Sequence, residues 1–199
     1  MVVKTLVETS YSGMYKLTPE DGAAFFVREE YLPEGLFERL DVGVEFEDDE
    51  TDFLLDAGLT SAVELKAVGY LARAEQSRFG LTRKLIEKKY DKKYVEAALT
   101  YLEGRGYLSD QRFATAWLNT RRINHYEGRS RLAAELAARG IARDVASTAL
   151  DEFFSENDED EICRKAYEKL SKTKSDEKLT ASLIRAGFTL KQIKTVQEN

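Results

Sequence analysis

Over the first thirty residues the apolar and β-branched positions run at a period of two. Val3, Thr5, Val7 and Thr9 alternate with Lys4, Leu6 and Glu8, the pattern of a half-buried strand. Ser12 and Gly13 offer a turn, and Met14 to Leu17 reads as a second short strand. Pro19 presets φ and Gly22 accepts a left-handed backbone, so the segment between them is a turn before a third strand from Ala23 to Val27. A sheet this small must lean on something else to be stable. Leu36 to Leu40 predicts a helical turn, and the acidic run EFEDDETD (Glu45 to Asp52) a solvated linker.

From residue 61 the period becomes helical. Ser61 and Glu64 have the spacing of a capping box, followed by Val63, Ala67, Tyr70, Leu71 and Ala74 on one face. A second helix follows Gly80, with Leu81, Leu85 and Ile86 inward, and Asp91 caps a third that carries Tyr94, Val95, Ala98, Leu99 and Leu102. Gly104 and Gly106 end it, glycine being the usual helix stop. The pattern recurs twice: Phe113, Ala114, Trp117 and Leu118; Leu132 and Leu136, stopped at Gly140; Val145, Ala149, Leu150 and Phe153; then Ile162, Cys163, Ala166, Tyr167 and Leu170; Leu179 and Leu183, stopped at Gly187; Ile193 and Val196.

The copies align. Leu81, Leu132 and Leu179 correspond, as do Leu85, Leu136 and Leu183, and Tyr90, Ile141 and Phe188, at offsets of 51 and 47 residues. Gly140 matches Gly187, while Lys89 stands at that position in the first copy. The simplest account is a mainly α chain: a tandem, solenoid-like array of three three-helix repeats, elongated and curved, behind a small β-rich extension. The extension with its acidic linker takes residues 1–50, and the repeats take 57–107, 108–156 and 157–199.

Charge sharpens this picture. The formal net charge of −6 hides a segregation: −11 over residues 1–60, +7 over 61–150 and −2 over 151–199. Such asymmetry speaks of partners rather than fold. Arg78, Arg83, Lys84, Lys88, Lys89, Lys92 and Lys93 gather around one helix–turn–helix junction, and Arg121, Arg122, Arg129, Arg131, Arg139 and Arg143 around the next. A solvated face is the plain reading of such runs, and a phosphate-bearing or acidic partner is the functional one. Repeated phosphate contacts would make binding steeply salt-dependent.

Catalysis finds no support in the residue pattern. His125 stands alone, reads as a surface or capping residue, and cannot build a zinc site with one distant cysteine. Cys163 lies in an apolar stripe and reads as packing. A phosphate-cradling glycine loop is missing, and no carboxylate stands out on an apolar face. No metal or cofactor is expected. The acidic run does not follow calcium-loop spacing. No apolar run approaches membrane-spanning length, and a single cysteine suits a reducing compartment. The expectation is a cytoplasmic, non-enzymatic protein, monomeric by its wet surface, that grips a macromolecule.

The run ALTYLEGRGYLSDQRFATAW (98–117) resembles the central signature of the RecX family, bacterial regulators of the RecA recombinase. SRFGLTRKL (77–85) is similar to that family's first-unit segment. Arg121 and Arg122, followed by Gly128, Leu132, Leu136, Gly140 and Ile141, are similar to its second. The likeness covers about residues 61–155; Lys89, Glu127 and Arg129 depart from the family's usual glycine, basic run and proline. The resemblance implies a protein that binds RecA and its single-stranded DNA filament and lowers ATP hydrolysis, strand exchange and co-protease activity, so tempering recombination and the SOS response. Some members also bind DNA directly. The contact residues expected are Arg78, Arg83, Lys84, Lys88, Lys92, Lys93, Arg121, Arg122, Arg129 and Arg131. A stand-alone DNA-binding repeat protein and a generic helical adaptor are the alternatives.

Overall fold

The computed structural model describes residues 1–123 and 125–198. Three strands, β1 (Val3–Glu8), β2 (Met14–Pro19) and β3 (Phe25–Arg28), form an antiparallel meander in sequence order. The alternation read for β1 is broken by a register shift between Val3 and Thr5. The bulge turns Val3 and then Leu6 inward and leaves Val7 57% exposed, because one extra residue flips every later side chain to the other face. A single 3-10 turn spans Phe37–Arg39, inside the segment expected to form one.

Nine α-helices follow among the described residues: α1 (Asp48–Leu71), α2 (Arg78–Glu87), α3 (Lys92–Gly104), α4 (Asp110–Arg122), α5 (Arg129–Ala137), α6 (Arg143–Glu156), α7 (Glu159–Ser171), α8 (Asp176–Arg185) and α9 (Leu190–Glu198). Two expectations are corrected by α1. Asp48, Asp49 and Glu50 belong to its first turn rather than to a linker; negative charge there complements the helix dipole. Ser61 is not a cap. It is buried in mid-helix, donating its hydroxyl to Ala57 O at 2.8 Å, and Glu64 is buried behind it.

The chain forms two compact units: Met1–Ala74 with Leu81–Leu108, and Glu75–Gly80 with the chain from Ser109 onward. In the first, α1 serves two cores. Leu54 and Ala57 join Val3, Leu17, Val27 and Phe46 under the sheet. Val63 and Ala67 join Leu81, Leu85, Val95, Leu99 and Leu102. Gly58 is needed for this fit, since a Cβ there would sit 2.6 Å from the Phe25 ring. Ile86, read as inward, is 39% exposed because it lies one residue off the Leu81–Leu85 stripe.

In the second unit, one core gathers Ala114, Leu118, Leu132, Leu136, Ile141, Ala149 and Leu150. Another gathers Cys163, Ala166, Leu179, Leu183, Phe188 and Ile193. The repeat is exact in its backbone. Tyr90, Ile141 and Phe188 each donate to the carbonyl five residues back, Leu85, Leu136 and Leu183, at 3.3, 3.1 and 3.2 Å. That bond closes a helix with a left-handed residue after it, and Lys89, Gly140 and Gly187 have φ of +69°, +77° and +100°. Lys89 is the one non-glycine residue with positive φ among those described.

Candidate macromolecule-binding surface

The expected contact residues divide by what already holds them. At the α2–α3 turn Lys88, Lys89 and Lys92 are exposed and make no ion pair among the described residues. Arg83 is exposed and reaches Glu87 at 3.6 Å, a weak surface contact. Lys84 lies 5.5 Å above the Tyr70 ring. Lys93 is committed to Asp56 at 2.9 Å. The Asp56 carboxylate, bonded by the Tyr94 hydroxyl and then by Lys93, is held below its usual range. Arg78 is half-buried, and its backbone N–H donates to Asp110 Oδ1 at 2.7 Å.

Around the α4–α5 junction the arginines are tied down. Arg121 grips Glu127 with two bonds of 2.6 and 2.9 Å. Arg131 pairs with Glu135 at 2.6 Å, and Arg139 reaches the same carboxylate at 2.7 Å while lying 4.6 Å over the Trp117 ring. Arg129 pairs with Asp151 and covers the Phe154 ring. Arg122 donates to Asn157 Oδ1 at 3.0 Å. A cation in a bidentate pair must break it before it can serve a partner, so Arg121 is the most committed of them; these five arginines share three carboxylates, and the junction keeps a positive excess.

One buried charge escaped the pattern. Arg28, 4% exposed, donates to Glu64, 3% exposed, through Nε and Nη2 at 2.7 and 2.6 Å. Its Nη1 donates to Ser12 O at 2.7 Å, and the Tyr31 hydroxyl donates to Glu64 Oε2 at 2.9 Å. Burial opposes the Arg28 charge, but the Glu64 bonds outweigh it and hold the guanidinium above its ordinary pKa. Burial, reinforced by the same carboxylate, pushes the Tyr31 phenol well up. Glu64 is the carboxylate on an apolar face that the pattern alone did not single out. Its partner lies 36 residues away, and helical spacing carries no signal at that distance.

His125 is exposed. Cys163 is fully buried, and burial, then the nearby Asp160 and Glu159, push its thiol up to about 11. No group of three or more His, Cys, Asp or Glu side chains among the described residues is placed to hold a metal ion, and none of their helices is long and apolar enough to cross a membrane.

Fold and surface together define a tandem three-helix repeat protein with a sheet-bearing N-terminus and cations concentrated at its helix turns. Residues 109–150 match the family description "RecX, second three-helix domain". The chain is 39% identical over 107 residues to the "Regulatory protein RecX" of Treponema pallidum (strain Nichols), across 54% of this chain and 65% of that one. It is 37% identical over 84 residues to the protein of the same name from Ralstonia pickettii (strain 12J), across 42% and 52%. The matched segments thus span less than two thirds of those relatives. The fold is similar to a "Crystal structure of regulatory protein RecX" (TM-score 0.79, 20% identity, covering 100% of this chain and 99% of that one). It is also similar to that of RecX from Lactobacillus salivarius (TM-score 0.61, 21% identity, covering 70% and 95%). At such identities these two speak to the fold alone.

Proposed function

We propose that this chain is a non-enzymatic, cytoplasmic and monomeric modulator of the RecA recombinase. In this reading it binds RecA and the RecA filament on single-stranded DNA, and lowers ATP hydrolysis, strand exchange and co-protease activity in recombination and the SOS response. The observation that carries the reading is the match of the second three-helix unit to the RecX regulators. Its physical basis is a surface that repeats along the chain, offered to a partner that repeats along a filament. Bridging several protomers gains affinity through effective concentration. It also biases protomers toward one state, which slows a cycle that needs them to change state.

Among the ten expected contact residues, Lys88 and Lys92 carry the largest share in this reading, because no ion pair among the described residues competes for them. Lys84 and Arg83 lie beside them on α2. Arg121, Arg129 and Arg131 contribute mainly by holding the α4–α5 junction in shape, and Arg78, Lys93 and Arg122 are intermediate. The test is ATP hydrolysis by the same organism's RecA on single-stranded DNA, with this protein titrated in. Inhibition well below one molecule per RecA is expected, and Lys88→Glu with Lys92→Glu should raise the half-inhibitory concentration at least tenfold. Absence of inhibition at any ratio would remove RecA as the partner and favour the helical adaptor. Inhibition only once the DNA is coated would favour a stand-alone DNA binder, the second reading that the exposed α2–α3 lysines support.

A further inference from the structure

The last repeat carries a cationic pocket of about 540 Å³ in the second unit, lined by Arg131, Lys169, Lys174, Arg185, Ser182 and Tyr126 among others. Its floor is the Ser182 hydroxyl, 8% exposed. That hydroxyl donates its hydrogen to Lys178 O at 2.7 Å, which leaves its lone pairs turned to the pocket. Lys174 Nζ donates to it at 2.7 Å and Arg185 Nη2 at 3.4 Å. Arg185 is steadied by a second bond, Nε to Ala181 O at 3.2 Å. Two cations therefore converge on one neutral acceptor, within two hydrogen-bond lengths of each other. Neither they nor Lys169 form an ion pair among the described residues. The carboxylate lining the pocket, Glu127, is taken up by the two bonds from Arg121. Like charges held together without a counter-ion repel, and an oxyanion between them would relieve that repulsion while using the ammonium and guanidinium N–H groups that Ser182 leaves unused. Lys169 lies 5.6 Å above the ring of Tyr126, itself 38% exposed at the rim. An aromatic face beside a phosphate-sized cluster of donors is the arrangement that holds one nucleotide of a single strand, phosphate in the pocket and base on the ring.

We propose that the pocket formed by Lys174, Arg185, Ser182 and Lys169 binds a phosphodiester group of single-stranded nucleic acid, with Tyr126 as the stacking platform. None of these residues is among the expected contacts, and the segment that carries most of them is acidic on balance, with a net charge of −2 over residues 151–199. The proposal does not depend on any recombinase, and its test contains none, so its failure and that of the RecA reading are separate events.

The experiment is fluorescence anisotropy of a labelled 20-nucleotide oligo-dT at low salt, with the full chain. The variants are K174Q/R185Q and Y126A, with K191Q/K194Q on α9 as an equal charge change elsewhere; circular dichroism checks that each is folded. K174Q/R185Q should weaken binding at least tenfold and flatten the log–log salt slope by about 1. Y126A should weaken it severalfold with the slope kept, and the α9 control should change it less than threefold. Inorganic pyrophosphate should displace the strand from the wild type. Equal losses in the pocket variant and the control would overturn the proposal in favour of diffuse attraction. Pyrophosphate binding without strand binding would overturn the strand as the source of the phosphate. An octaglutamate peptide bound through Lys174 and Arg185, with oligo-dT indifferent to them, would overturn nucleic acid in favour of an acidic protein segment.

Discussion

The first three-helix repeat and the two after it cover their exposed flanks by different means. The first leans on the sheet, and the join is a buried ion pair, Arg28 with Glu64, sealed by Tyr31. The second and third use backbone. The glycine stop of each rests on the segment that opens the middle helix of the repeat before it. A Cβ on Gly140 would lie 2.3 Å from Phe79 Cβ, and one on Gly187 would lie 2.6 Å from Arg131 N. Ser77 Oγ donates to Arg139 O at 3.0 Å, and Ser130 Oγ to Gly187 O at 2.8 Å. Lys89 occupies the same left-handed position on an exposed turn. The turn itself tolerates a side chain at some cost. What demands glycine at 140 and 187 is the segment packed against each, Phe79 in one case and Arg131 in the other.

Substitutions on the two sides of this contrast should differ in size. Glu64→Leu leaves Arg28 buried without its partner and should cost about 3–5 kcal/mol. The double change Arg28→Met with Glu64→Leu should recover most of that in a denaturant titration. A double variant no better than the single one would mean that the pair is not the join. Gly140→Ala combines positive φ with a clash and should cost about 3 kcal/mol, whereas Lys89→Ala, made at the equivalent turn, should change stability by less than about 0.5 kcal/mol. Equal effects at both sites would show that conformation alone selects the glycine.

Alkaline pH probes the sheet side. The Tyr31 phenol is raised above its ordinary value of 10.0 in the folded chain. Below pH 10 both states keep the proton; above it the unfolded chain ionises first. Stability therefore falls as pH rises beyond 10, by at most about 1.4 kcal/mol per pH unit from this group. In thermal melts the fall should be shallower for Tyr31→Phe. On the repeat side, Cys163 should react with a thiol reagent only on unfolding, since burial holds its thiol near 11. One substitution should be a gain: Lys89→Gly relieves the left-handed strain and should stabilise by roughly 0.5–1 kcal/mol.

Most of the helical body was legible in the amino-acid sequence because its signals are local. The leucine stripes of α2, α5 and α8 and the Asp91 cap stand where spacing puts them, and Asp91 accepts from Lys93 N at 2.8 Å. The register of Leu81, Leu132 and Leu179 was visible too, and even the odd Lys89 pointed to the shared turn. The start of α1 was not legible, because Ser61 and Glu64 interrupt its buried stripe with polar groups whose partners are local backbone in one case and a distant arginine in the other. The bulge in β1 was hidden for a similar reason: strand alternation looks intact until pairing is known. Basic clusters could be counted but not sorted into committed and open charges, since Glu127, Glu135 and Asp151 take up their arginines only in three dimensions. Lys169, Lys174 and Arg185 were hidden by their spread over two helices and a loop within an acidic segment.

The shared helix α1 has a bearing on chimera building. Its first half is a wall of the sheet core and its second half a wall of the first helical core, with Glu64 at the seam. A graft that exchanged the N-terminal sheet between relatives at residue 47 would part the sheet from Leu54 and Ala57, the α1 residues that complete its core. The transplantable cassette therefore ends beyond Leu71, and it should travel with the α3 side chains, Tyr101 among them, that close over Arg28 at 4.5 Å.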